Sequence, residues 1–106
     1  MSKSYASRCE TALYRIIGRA DDVFDSLWVV AVKNAQVVDR QRVTHYMTLL
    51  SGLNEIRRLH RQTNLMYVCE QFPTENNSEA KDYIRLIHRA RKIYKELNAE
   101  YIKLKG

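Results

Sequence analysis

Residues 39–69 read DRQRVTHYMTLLSGLNEIRRLHRQTNLMYVC, a stretch with no proline and a single glycine, Gly52. Apolar residues recur in it at Val43, Tyr46 and Met47, Leu50, Leu53 and Ile56, then at Leu65, Met66 and Cys69. Steps of three and four stack side chains on one helical face, because a helix makes a turn every ~3.6 residues. Asp39 stands where a cap accepts hydrogen bonds from first-turn amides, so the spacing predicts one long helix from Asp39 to Cys69. Between Ile56 and Leu65 the only apolar residue is Leu59, and Arg57, Arg58, His60 and Arg61 make the interval basic. The helix reads as a scaffold that also carries a contact surface.

The totals agree with a helical protein. At 106 residues the chain forms one domain, 1–106, with room for a single core. Three glycines and one proline are too few for a turn-rich β fold. Eighteen Lys and Arg against twelve Asp and Glu leave a net charge of +6, which favours acidic partners: nucleic acid, an acidic protein face or an anionic membrane surface. Cys9 and Cys69 form neither a metal spacing nor a disulfide framework, so both are expected as buried free thiols in a reducing, intracellular compartment. The longest apolar run, Leu27 to Val32, is far short of a membrane span, and the opening MSKSY lacks the apolar segment of a secretory signal. Lys3, Arg8, Arg15 and Arg19 on an amphipathic helix are compatible with a mitochondrial address, although that helix also carries Glu10 and reads as structural.

Three further helices are predicted around the long one. Ser4 caps a first helix to about Gly18, with a stripe at Ala6, Cys9, Leu13, Ile16 (with Ile17) and Ala20. Gly18 weakens that helix, and Asp21 or Asp22 caps a second through Val32. The run Val23, Phe24, Leu27, Trp28, Val29, Val30, Ala31, Val32 is apolar on all sides and reads as the centre of the core, with a buried strand as the less favoured alternative. After Phe72-Pro73 and a loop at Thr74–Asn77, Ser78 caps a last helix. Its stripe is Ala80, Tyr83, Ile84, Ile87, Ala90, Tyr94, Leu97, Tyr101 and Leu104. The expected fold is all-α: an antiparallel, up-down-up-down four-helix bundle whose third helix is long.

Candidate sites follow from charge more than from catalytic chemistry. No Gly-rich phosphate loop, HExxH, CxxC or pair of carboxylates on one apolar face occurs, so no enzyme, cofactor or metal is expected. Arg40 and His45 have a spacing that resembles the Arg-x4-6-His signature of HEPN-type ribonucleases, where such a pair would serve acid–base cleavage of RNA. A histidine beside a core row is more often structural. Two basic rows remain: Arg57, Arg58, His60 and Arg61 on the long helix, and Lys81, Arg85, His88, Lys92 and Lys95, flanked by Arg89 and Arg91, on the last. On neighbouring helices they would suit an acidic partner or a phosphate backbone, the latter read through charge and not through bases, because exposed aromatics for stacking are not evident.

The first helix contains Leu13-Tyr14-Arg15 followed four residues later by Arg19, and this resembles the opening of the LYR-motif adaptor family. Asn34-Ala-Gln-Val37-Val-Asp39 and Leu53-Asn-Glu-Ile56-Arg57-Arg58 resemble that family's second-to-third-helix junction and its basic third helix, so the likeness covers about residues 8–68. The resemblance implies a small basic adaptor of the mitochondrial matrix, binding an acyl carrier protein whose acidic helix meets basic residues. Leu13, Tyr14, Arg15 and Arg19 are the positions that carry over. Outside that resemblance the compartment reads as cytoplasmic. Two functions are therefore expected. One is a non-enzymatic adaptor docking onto an acidic protein within a larger complex. The other is a nucleic-acid-binding helical subunit of a ribonucleoprotein or DNA-handling complex.

Overall fold

Helix α2, Arg40–Cys69, begins where the sequence places it. The Asp39 carboxylate accepts from the backbone N–H of Arg42 at 2.8 Å, and the Asp39 carbonyl takes the N–H of Val43. This satisfies first-turn amides that would otherwise lack partners. The computed structural model describes residues 5–69 and 76–106 and holds two more helices, α1 Tyr5–Lys33 and α3 Asn76–Lys105. No strand occurs among the described residues.

Among the described residues the bundle thus has three helices and not the expected four, because the predicted first and second helices are one. Gly18 does not interrupt α1. A helical glycine costs about 1 kcal/mol relative to alanine, too little to break a helix held by packing. The buried residues Ala6, Cys9, Leu13, Ile17, Ala20, Phe24, Leu27 and Ala31 run through it in unbroken steps of three and four. That stripe also corrects the assignment of the core centre. Phe24, Leu27 and Ala31 are buried, whereas Trp28, Val29 and Val32 fall off the stripe and are exposed. The long helix is accordingly the second in the chain. The α3 helix begins at Asn76, two residues ahead of Ser78, within the ordinary scatter of helix ends. The Ser4 cap, Phe72-Pro73 and the Cys69 side chain lie outside the described residues.

Short connections set an up-down-up order. Residues 34–37 form a turn in which Asn34 accepts from the N–H groups of Val37 and Val38. Tyr67 meets Asp82 at one end and His45 meets Glu100 at the other, so α2 and α3 are antiparallel. Glu10 lies against Tyr83, and Val29 and Tyr101 line one surface hollow further along, so α1 and α3 run parallel. These two pack along most of their lengths, with small buried residues (Ala6, Ala20 and Ala31 on α1, Ala80 and Ala90 on α3) permitting close approach. From α2 come Tyr46, Leu49, Leu53 and Ile56, and Gly52 lets α2 approach Ile93 of α3. Direct packing of α1 on α2 is slight, and each packs mainly on α3. The result is a slender body of 56 × 23 × 16 Å. Among the described residues no helix is long and apolar enough to cross a membrane.

Candidate functional site

Between α1 and α2 lies a groove of about 490 Å³, lined by Tyr14, Ile17, Gly18 and Asp21 from α1 and by Arg57, His60 and Arg61 from α2. Tyr14 is 58% exposed, one position off the stripe that buries Leu13 and Ile17. Gly18 lies one turn further along the same wall, and a Cβ built on it would meet nothing within 4 Å. The space above it is therefore open, and no packing need of the free chain accounts for a glycine in mid-helix.

One wall is held by ion pairs. The Arg57 guanidinium bonds Asp21 across the groove and donates to Asn54 at 2.7 Å on its own helix. Arg58 turns away and makes a two-point contact with Glu55 at 2.5 and 3.0 Å, holding the Glu55 carboxyl below its usual range. Arg61 is exposed and has no ion pair among the described residues.

His60 is not a surface cation. It is 4% exposed, continuing the α2 core row Tyr46, Leu49, Leu53, Ile56 by one more step of four. Its Nε2 stands 2.7 Å from a Glu10 carboxylate oxygen, and the Tyr14 ring meets it edgewise at 4.6 Å. The Tyr83 ring lies 5.7 Å away. The Tyr83 hydroxyl is 3.1 Å from Glu79 and 3.4 Å from Glu10; with one hydrogen to give, it donates best to the nearer Glu79. Burial first, then the Glu10 and Glu79 carboxylates, push the Tyr83 hydroxyl well above its ordinary range. Thus Glu10 and His60 form a paired polar floor beneath a groove that carries arginines at its mouth.

Of the four positions carried by the LYR-like resemblance, Leu13 is core, Tyr14 lines the groove, and Arg15 and Arg19 are exposed outside its lining. Of the α2 row, Arg57, His60 and Arg61 line it and Arg58 does not. The α3 row is elsewhere. Lys81, Arg85, His88, Lys92 and Lys95, with Arg89, are exposed, and the first five lie on the face opposite Tyr83, Ala90 and Leu97. No residue of that row lines the groove, so the two basic rows do not form one surface. Arg85 pairs with Asp82 at 3.4 Å, while Lys81, His88, Lys92 and Lys95 have no ion pair among the described residues. Arg40 and His45 are both exposed near the start of α2, and His45 faces Glu100 at 3.9 Å.

Sequence reasoning missed Glu10, Gly18, Asp21 and Tyr83 as parts of this site. Nothing in local spacing relates α1 to α2 side chains. The burial of His60 did have a signal, its place one helical step beyond Ile56. No protein-family model, curated protein or solved structure matches the chain.

Proposed function

We propose that this chain is a non-enzymatic adaptor that docks onto an acidic protein partner through the α1/α2 groove. The observation that carries the reading is convergence: Tyr14 from the LYR-like segment and Arg57 and Arg61 from the basic stretch of α2 line one open groove. An exposed aromatic ring supplies contact area at small entropic cost, and arginines supply charge-assisted hydrogen bonds to carboxylates. Gly18 lets a partner approach the α1 backbone closely. The net charge of +6 speeds encounter with an acidic surface. In its specific form the reading is an LYR-like adaptor for an acyl carrier protein in the mitochondrial matrix, working as part of a larger assembly.

A second reading, contact with a nucleic-acid backbone, has its own observation: the exposed row Lys81, His88, Lys92 and Lys95 on α3, which has no ion pair among the described residues. Calorimetry of the full chain against acyl carrier protein and against single-stranded RNA separates the two. The adaptor reading expects acyl carrier protein to bind, with loss in the double variant Tyr14→Ala, Arg61→Glu and retention in Lys81→Glu, Lys92→Glu. RNA binding alone, lost only on reversal of the α3 row, would replace the adaptor reading with the second.

A further inference from the structure

The floor of the groove holds a group whose hydrogen bonding is half complete. His60 is more than nine-tenths buried, and its Nε2 is committed to Glu10. Its Nδ1 has no partner among the described residues. The only sealed polar side-chain atom lacking a partner among those residues is the Tyr46 hydroxyl, so Nδ1 keeps contact with solvent. His60 is one of the residues that line the groove.

A nitrogen facing a carboxylate carries its hydrogen in both protonation states of the ring. Neutral His60 therefore presents a lone pair at Nδ1, and the imidazolium presents an N–H there. The groups facing His60 are Glu10 and Tyr14 from α1, Tyr83 with Glu79 behind it from α3, and Arg57 and Arg61 on α2 itself. Arg57 is spent on Asp21 and Asn54, and Glu10 on His60. Among the described residues, two nitrogen groups at the groove have no hydrogen-bond or ion-pair partner, the Arg61 guanidinium and His60 Nδ1.

We infer that these two groups form an anchoring site for one carboxylate of the acidic partner, taken up together with a proton at Nδ1 of His60. The inference rests on the adaptor reading and names the group that the groove receives. One unbalanced guanidinium matches one negative charge. A phosphate dianion would leave a charge uncompensated beside Glu10 and Asp21, and its cost rises as water is excluded. On docking, the imidazolium donates from Nε2 to Glu10 and from Nδ1 to the incoming carboxylate, and Arg61 closes over it from the mouth. Docking therefore senses pH through a buried histidine, while the rim contacts do not.

The test is a titration of the full chain, with histidine rings followed by nitrogen-15 NMR. Its probes are a synthetic acidic helical peptide, the same peptide with Glu replaced by Gln, and inorganic phosphate alone. The peptide is expected to move the His60 ring signals and to bind at least about fivefold tighter at pH 6 than at pH 8. His60→Gln should remove that pH dependence, and Arg61→Ala should weaken binding about tenfold, as for loss of a charge-assisted contact. If His60→Gln does not fold, the wild-type ring signals and Arg61→Ala decide. Ring signals unmoved at saturation, or an unchanged pH profile in His60→Gln, would overturn the anchoring site. So would phosphate displacing the peptide from the same signals at lower concentration. Peptide binding that depends on Tyr14 and Arg61 but leaves His60 silent would sink this inference alone; absence of peptide binding at every pH would sink the adaptor reading with it.

Discussion

The replacement Tyr46→Phe removes one atom, and the structure sets the sign of its effect. Tyr46 is 0% exposed and its hydroxyl is sealed without a hydrogen-bond partner among the described residues. A buried hydroxyl left unpaired costs about 1–3 kcal/mol, the desolvation that water is not there to repay. Phenylalanine keeps the ring and its packing and deletes that penalty. A gain of about 1 kcal/mol is expected, which for a domain near this size raises Tm by roughly 4–8 °C. Tyr83→Phe is the matched control, since Tyr83 is equally buried but its hydroxyl donates to a carboxylate. Hydrogen bonds to charged groups contribute about 1.5–3 kcal/mol, so this variant should lose stability by an amount of that order. Urea unfolding followed by circular dichroism measures both, and unchanged slopes would attribute the midpoint shifts to stability. The reasoning is refuted if Tyr46→Phe loses 1 kcal/mol or more, because its hydroxyl must then have a partner.

Three other outcomes test the fold and the groove. Leu97 is fully buried on α3, so Leu97→Asp should abolish cooperative melting, and a wild-type melt would contradict the packing of that helix. Gly18→Ala should raise stability by about 0.5–1 kcal/mol, since the new methyl meets nothing and helix propensity improves. A loss would mean that the groove is closed in solution. Alkali should unfold the protein. Burial, reinforced by Glu10 and Glu79 at Tyr83 and by Glu100 at Tyr46, raises both hydroxyls above their unfolded value near ~10. A raised acid contributes stability that is fully present below the unfolded pKa and lost as pH climbs toward the folded one. Tyrosinate absorbance at 295 nm and helical ellipticity should therefore change together above about pH 10. Ionisation of all tyrosines with the helices intact would count against the buried placement.

Much of the architecture was readable in the chain. The cap at Asp39, the absence of proline inside 39–69 and the stripe from Ala80 to Leu104 follow from local rules, and each has its counterpart in α2 and α3. The break at Gly18 was misread because a glycine's local cost was weighed without the packing that overrides it. Asp21, read as a possible cap, serves instead as the partner of Arg57. The exposed valines at 29 and 32 show the converse: composition marked them as core, and only the phase of a continuous helix moved them to the surface.

The candidate site divides along the same line. By itself the sequence determined which residues carry charge and which faces are apolar, because both are set by side-chain identity and helical period. It named Tyr14, Arg57, His60 and Arg61, but assigned them to rival functions. Tertiary structure decided that these four share one groove, that the α3 row lies on a different face, and that His60 is buried against Glu10. The physical reason is separation along the chain. Glu10 and His60, or Asp21 and Arg57, are brought together only when α1 and α2 both pack on α3, and no local spacing encodes that arrangement.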